Sequence, residues 1–407
     1  MLSYEEARRV VIEQVGRVQR LRVGEPVCVQ DALGRVLAQQ VLADRDYPPF
    51  NRSTRDGYAL RASEANAAAE TGKTIRCVAE IKAGDSVTQA LAPGTCVQIM
   101  TGAAVPPAAD AVVMIEHTQR EGDAVRVERE TREGQNIVPR GSEAAEGERL
   151  LASGTRLGYV ELALAAQVGA VELSCARKPR VAILSTGDEV VLAEQTPGPF
   201  QIRNSNSVSL AAQVRLAGGE PVPLGNAADT TGDLREKMAA GLREDVLVLS
   251  GGVSMGKYDL VETVLKQLGA EFFFDAVAIR PGKPAVFGKC GETFVFGLPG
   301  NPVSTMVTFE LFVVAALDLL GGAAARPLAL LEARLGAAMN EKPGLTHFLP
   351  ARVEWPQGKP EVTPLSWQGS GDIAALAKAN CFLVVPAEKE NLAVGEAVRV
   401  MMRRDVI

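Results

Sequence analysis

A short apolar run, Val246-Leu247-Val248-Leu249, leads directly into the glycine-rich decapeptide SGGVSMGKYD, Ser250 to Asp259, and an amphipathic stretch over 260–268 follows. Consecutive apolar residues bounded by turn residues read as a strand buried on both faces, and the periodic stretch reads as a helix. A glycine-rich turn between such a strand and a helix belongs to α/β architectures. It exposes backbone N–H groups at a helix N-terminus, a geometry that suits phosphate and other anions. The flanking chain repeats the pattern. Strands are expected over 180–184, 221–224 and 294–296, and helices over 207–217, 233–242 and from Pro302 onward. This alternation predicts a mostly parallel, doubly wound sheet covered on both faces.

A chain of 407 residues holds about two to four domains. Ser3-Tyr4-Glu5-Glu6 is a capping-box pattern that opens a helix to about Val18, and a second short helix fits 32–39. Tyr47-Pro48-Pro49-Phe50 breaks the helical pattern. Short β-branched runs over 75–81, 96–100, 111–116 and 124–129 then alternate with Gly, Pro and Asp turns, as in a small β-rich domain. Residues 142–175 include an expected helix over 159–168 and return to the N-terminal region, which makes that region discontinuous. After Gly321-Gly322 strands are expected over 328–335, 348–355, 359–365, 381–385 and 397–402, enough for a small barrel or sandwich. The expected division is 1–48 with 142–175, a β-rich insert over 49–141, the α/β domain over 176–325, and a barrel-like domain over 326–407.

Composition removes several classes of function. Lys and Arg total 43 and Asp and Glu 49, a formal charge of −6 with no large basic block. Nucleic-acid binding needs clustered cations to neutralise phosphates, so it is not expected. The start, MLSYEEARRVV, is interrupted by charge before any apolar core forms and does not read as a signal peptide. The most apolar stretch, 303–320, carries Glu310 and Asp318 and reads as a buried helix rather than a membrane span. Six scattered cysteines with no CxxC pair read as reduced thiols, and the expected location is cytoplasmic. Only two histidines, His117 and His347, are present, so a multi-histidine metal site within one chain is excluded. Acid–base chemistry falls to carboxylates, lysine and water.

Ligands of open α/β sheets bind beyond the carboxyl ends of the strands. Such ends carry Ser185-Thr186-Gly187-Asp188-Glu189, the segment Asn226 to Asp229, Ser250 to Asp259, and Gly297-Leu298-Pro299-Gly300-Asn301-Pro302. In the last, Asn301 is placed to cap a helix and Pro302 to begin it. One such loop is ordinary turn chemistry, but the set on one sheet edge points to a ligand site. Gly252-Val253-Ser254-Met255-Gly256 matches the GxSxG nucleophile elbow, yet the histidine downstream, His347, falls in another domain. Gly251 to Lys257 matches GxxxxGK, but Tyr258 replaces the hydroxyl residue that holds magnesium in a P-loop. Arg280-Pro281-Gly282-Lys283-Pro284 sets two cations around a tight turn, either a solvated hairpin or an anion clamp.

Read together and in order, PPFNRSTRDGYAL (48–60), IMTGAAVPPAADAVVMIE (99–116), ILSTGDEVV (183–191), RNSNS (203–207), LSGGVSMGKYD (249–259), IRPGKP (279–284), GLPGNPVS (297–304) and GSGDIAALAKAN (369–380) resemble the molybdopterin molybdotransferase family, which includes the E domain of gephyrin. The resemblance implies four domains, an N-terminal dimerisation domain, and an elongated homodimer with its cleft between the α/β domain of one subunit and the second domain of the other. It implies insertion of molybdenum from molybdate into adenylylated molybdopterin with release of AMP, assisted by Mg2+. Contact with the molybdopterin adenylyltransferase and recipient molybdoenzymes also follows. The catalytic positions it implies are Asp56, Glu189, Asp259 and Lys283, with Asp56, Glu189 and Asp259 as metal ligands. Substrate contacts fall on Thr101, Thr186, Gly187, Asp229, Ser250, Gly251, Gly252, Ser254, Arg280, Pro299, Gly300, Asn301, Pro302 and Ser370. The chain departs from the family pattern at Val138, Glu143 and Arg280, where Arg, Asp and Lys are common, and Arg140 is a candidate replacement for the cation at 138. A catalytically weak scaffold or molybdopterin-binding protein on the same fold is the second reading, and a serine hydrolase using Ser254 the third.

Overall fold

The computed structural model describes residues 1–18, 24–252 and 260–406. The N-terminal helix, Tyr4–Gly16, begins with the expected capping box: Glu6 N donates to Ser3 Oγ at 3.2 Å and Ser3 N to Glu6 Oε2 at 2.8 Å. Its buried face, Tyr4, Ala7, Val11 and Val15, joins the core around the long helix Pro302–Leu320. Arg8 Nη1 fastens it there by donating to Leu311 O at 2.6 Å.

The helix expected over 32–39 does not form. A single 3-10 turn, Val29–Asp31, is followed by Gly34 at φ 75°, and the chain then runs extended. Val36 and Leu37 bridge to Arg156 and Cys175 instead, with Leu37 N donating to Thr155 O at 2.9 Å. The left-handed glycine ends any helix there, and tertiary pairing claims the apolar residues that suggested one. Gly24–Cys28 pairs with Glu172–Ala176, and Val41–Leu42 with Arg149–Leu151. The chain thus returns to its N-terminal region after a long excursion, and the helix Tyr159–Gln167 packs beside these pairs.

The excursion is a six-stranded mixed sheet, in spatial order Ala111–Met114, Gly57–Leu60, Thr95–Ile99, Ile75–Ile81, Ala124–Val127 and Thr118–Glu121. A helix that the alternation reading misses, Ala62–Thr71, lies against it through Ala62 and Ala65. Its alanines favour a helix but bury little, so apolar periodicity is a poor guide to it.

The central domain contains strands β1 (Arg180–Thr186), β2 (Glu220–Ala227), β3 (Val246–Ser250), β4 (Ala270–Phe274), β5 (Val286–Cys290) and β6 (Thr293–Leu298), in order β2-β1-β3-β6-β5-β4. β2, β1, β3 and β6 are parallel, and β5 and β4 add an antiparallel edge. Helices α1 (Ser205–Ala217), α2 (Thr231–Gly241) and α3 (Leu260–Gln267) cross over between strands, and Pro302–Leu320 follows β6. The central strands feed two cores in alternation. Val181, Ile183, Val246, Val248, Phe294 and Phe296 face one, and Ala182, Leu184, Leu247, Leu249 and Val295 face the other. Burial on both faces is why these strands read as unbroken apolar runs. Pro302–Leu320 has a mean hydropathy of 1.9, and 78% of that stretch is buried inside the protein.

Beyond it, Leu330–Leu335, Thr346–Glu354, Glu361–Pro364, Cys381–Val385 and Ala397–Met402 close into a five-stranded barrel, to which Ile279–Arg280 adds a short edge. A helix not expected from the sequence, Ile373–Lys378, is capped by Asp372, whose carboxylate accepts from Ala375 N at 3.0 Å.

Candidate active site

The carboxyl ends of β1, β3 and β6 open into a cleft of about 660 Å³. Its described lining includes Thr186, Gly187, Glu189, Asp229, Ser250, Gly251, Gly252, Pro299, Gly300, Asn301 and Pro302, each expected from the sequence. This is the strand-end location that the parallel topology dictates.

Glycine is required at the turn after β3. Gly251 and Gly252 have φ 94° and 65°, and a Cβ at Gly252 would meet Val261 Cγ2 at 2.5 Å and Thr186 Oγ1 at 2.8 Å. Thr186 Oγ1 is buried and has no partner among the described residues. Asn301 and Pro302 open the next helix as expected, although the Asn301 amide is turned toward the barrel: Nδ2 donates to Ser370 Oγ at 2.9 Å. Ser370 O in turn accepts from Val303 N at 3.0 Å, and Gly371 and Ile373 line the cleft. A loop of the C-terminal barrel therefore supplies one wall.

The charge in the cleft is mixed. Arg203 reaches the lining from the segment that begins α1. Glu189 and Asp229 also line the cleft, beside Asp188, whose Oδ1 accepts from Asp229 N at 3.1 Å. Partial burial first, and then the negative charge of Asp188 and Glu189, hold the Asp229 carboxyl above the ordinary carboxylate range. Ionised Asp229 therefore costs the fold stability above its unfolded-state pKa, and that cost vanishes once the group is protonated in both states. Asp229→Asn is expected to raise the melting temperature at pH 7, with the gain fading toward pH 3. Thermal unfolding across that range checks it, and no gain at pH 7 would contradict the crowding.

The structure does not bring every expected residue to this cleft. Asp56 and Thr101 meet each other in the β-rich sheet, where Asp56 Oδ1 accepts from Thr101 N at 2.6 Å and from Thr101 Oγ1 at 2.8 Å. These bonds pull the Asp56 carboxyl below its usual range, but neither residue lines the cleft of its own chain. Arg280 and Lys283 are exposed on the turn whose Pro284 reaches the lining. Gly282 within that turn, at φ 112°, packs so tightly on Thr308 that a Cβ would lie 2.6 Å from Thr308 Cγ2. Asp259 and Ser254 lie outside the described residues. Of the proposed triad, Asp56 and Glu189 are therefore not brought together within one chain and Asp259 is not described; among the described residues no group of three His, Cys, Asp or Glu side chains is arranged to hold a metal. His347 is buried in the barrel with Nδ1 2.7 Å from Glu341 Oε2 and is not in the lining, which leaves the hydrolase reading without a base there. Of the departures, Glu143 pairs with Arg52 at 2.8 Å and Arg140 with Asp46 at 2.7 Å.

Sequence reasoning did not single out Ser185, Arg203, Asn204 or Asn206 as site residues, although all four line the cleft. For Arg203, Asn204 and Asn206 the signal is the density of polar side chains in RNSNS at the start of α1, and for Ser185 its place in the strand-end loop 185–189.

These features define a multidomain α/β protein with a polar cleft at the carboxyl ends of its parallel strands, one wall of which comes from the barrel domain. Residues 2–169 match the MoeA N-terminal region (domain I and II), 182–319 a probable molybdopterin binding domain, and 332–402 the MoeA C-terminal region (domain IV). The chain belongs to the molybdopterin molybdenumtransferase family, a family of transferases. It is 35% identical over 406 residues to the molybdopterin molybdenumtransferase of Bacillus subtilis (strain 168), covering 97% of this chain and 93% of the relative. It is 32% identical over 405 residues to that of Haemophilus influenzae, covering 98% of each. Among solved structures, a molybdopterin biosynthesis MoeA protein from Pyrococcus horikoshii superposes with a TM-score of 0.78 at 32% identity, covering 99% of both chains.

Proposed function

We propose that this chain inserts molybdenum from molybdate into adenylylated molybdopterin and releases AMP. The observation that carries this reading is the cleft itself. Its Gly251-Gly252 turn and the Arg203 guanidinium suit a ligand bearing phosphates, and its volume suits a drug-sized molecule. The phosphoanhydride of the substrate lies along the glycine turn, and the exposed Arg280 and Lys283 recruit the molybdate oxyanion. Glu189 and Asp229 fit a magnesium ion carried in on the pyrophosphate, because this cation is usually held by one or two carboxylates plus substrate phosphates. The raised Asp229 carboxyl fits the same assignment, since a cation relieves the repulsion that raises it. Magnesium bound there supplies charge neutralisation and polarises the phosphoryl group.

The Asp56–Thr101 pair acts from a second subunit in this reading. The chain is a homodimer in which the β-rich sheet of one subunit faces the cleft of the other. The helix Tyr159–Gln167 supports this, because it leaves Tyr159 and Val160 83% and 57% exposed. Large exposed apolar side chains at one end of a helix suit an interface. Six free cysteines, all but Cys28 buried, suit a cytoplasmic setting, and the product passes from there to recipient molybdoenzymes.

The test is release of AMP from adenylylated molybdopterin with molybdate and magnesium. Asp56→Ala and Glu189→Ala chains are each expected to lose about 100-fold or more in rate, the scale of losing one electrostatic or acid–base contribution. Mixed as heterodimers, the two variants regain activity, because one of the two shared sites is then intact. A wild type that releases no AMP in response to molybdate contradicts the reaction. Failure of mixing to restore activity contradicts the shared site alone.

A further inference from the structure

Two serines sit side by side at the head of the cleft, Ser185 at the end of β1 and Ser250 at the end of β3, paired in register across the parallel strands. Both are buried and both line the cleft. Their hydrogen bonds have opposite senses, and backbone groups fix those senses unambiguously.

Asn204 caps α1, with its Oδ1 accepting from Ser207 N at 3.0 Å. A backbone N–H can only donate, so that atom is the amide oxygen. Ser185 Oγ, 3.2 Å from the same oxygen, must therefore donate its proton to it. Asn206 is oriented by the opposite argument. Its amide approaches Gly300 O at 2.7 Å, and a carbonyl can only accept, so the atom facing it is Nδ2. The same Nδ2 stands 2.7 Å from Ser250 Oγ, which is therefore the acceptor. Ser185 has spent its proton within the protein, whereas the Ser250 proton has no acceptor among the described residues.

We infer that Asn206 is a positioning residue that holds the Ser250 hydroxyl as a hydrogen-bond donor to an anionic oxygen of the substrate. Asn206 also donates to the Gly300 carbonyl, which engages one of its two lone pairs beside the cleft. One side chain thereby ties together the loops after β3 and β6, whose backbones run close: a Cβ on Gly300 would lie 3.4 Å from Gly251 Cα. Asn206 Oδ1 is buried and without a partner among the described residues, so the side chain's bonds run only to these two groups. The oxygen recognised is either a phosphoryl oxygen of the molybdopterin substrate or an oxygen of molybdate.

This inference rests on the proposed reaction, and its test is the same AMP release resolved into two arms. Concentration dependence is measured for adenylylated molybdopterin at saturating molybdate, and for molybdate at saturating nucleotide, using wild type, Ser250→Ala, Asn206→Ala and the double variant, each with its melting temperature. Ser250→Ala is expected to raise one half-saturation value about 10-fold or more, as expected for a hydrogen bond to a charged group. The arm that moves identifies the anion. Asn206→Ala is expected to shift the same arm, and the double variant to be no worse than the more impaired single variant, because both changes remove one interaction. Asn206→Asp turns the donor into an acceptor and is expected to be more impaired at pH 8 than Asn206→Ala, recovering as the pH falls and the new carboxyl gains a proton. If Ser250→Ala leaves both arms unchanged, or if the two single effects multiply in the double variant, the inference is overturned while the reaction stands. A wild type without molybdate-dependent turnover defeats the reaction instead.

Discussion

Replacing Gly252 with valine is expected to abolish AMP release. The first added atom, the Cβ, would fall 2.5 Å from Val261 Cγ2 and 2.8 Å from Thr186 Oγ1, and the residue holds φ 65°, where a β-branched side chain is strained. Both conflicts cannot be relieved in place. Restoring an ordinary φ re-aims the turn, and pushing Val261 away displaces the start of α3 from the second core. Strain and overpacking together are expected to cost about 2–4 kcal/mol of stability, and the anion cradle is lost whatever the fold retains. Gly252→Ala meets the same contacts with fewer atoms and is expected to be less damaging. Rate measurement with a chemical denaturation curve separates the two effects. A folded valine variant with wild-type turnover would show that the turn does not hold substrate.

Asp318→Ala is expected to lower unfolding stability by about 3–5 kcal/mol while leaving the cleft residues untouched. Asp318 is fully buried. Its carboxylate accepts from Arg156 Nη2 at 2.8 Å and from Arg326 at its backbone N, 2.9 Å, and Nε, 3.1 Å, with Arg326 Nη2 also within 2.7 Å. Arg156 belongs to the returning segment near the N-terminal region, Asp318 to the long central helix, and Arg326 to the connection toward the barrel. Arg8 of the N-terminal helix joins them by donating to Arg326 O. Removing the carboxylate leaves two guanidinium groups sharing a partly buried space, and burial together with mutual repulsion already pulls the Arg156 pKa below its usual value. Asp318→Asn keeps the shape and part of the hydrogen bonding and is expected to fall between wild type and alanine. Urea unfolding measures both, and a loss below about 1 kcal/mol for alanine would mean that these regions do not depend on this junction.

The parallel sheet was legible because its central strands are buried on two faces. No alternation was needed to recognise Val246–Leu249, and the glycine and asparagine loops marked each carboxyl end. The antiparallel edge, Ala270–Phe274 with Val286–Cys290, was not anticipated, because Arg280 to Pro284 drew the reading toward a loop. The segment over 32–39 misled for the opposite reason: its local pattern suits a helix, but its partners lie more than a hundred residues away. In the site, residues carried on strand-end loops were found together as expected. Asp56 and Thr101, which the resemblance assigns to the second domain of the other subunit, sit on a separate sheet of the chain. Asn206 escaped notice because its importance lies in which atom it turns toward Gly300, a property of geometry that no residue type announces.

The bond from Asn301 to Ser370 has a consequence for how the protein is made. Synthesis proceeds from the N-terminus, so the parallel sheet and its glycine turn leave the ribosome well before Gly371 and Ile373, which complete the wall of the cleft. A nascent chain that has reached the end of the long central helix carries the anion cradle but not its boundary. The closed outline of the cleft thus arrives late in translation, with the barrel as the part that seals the vessel.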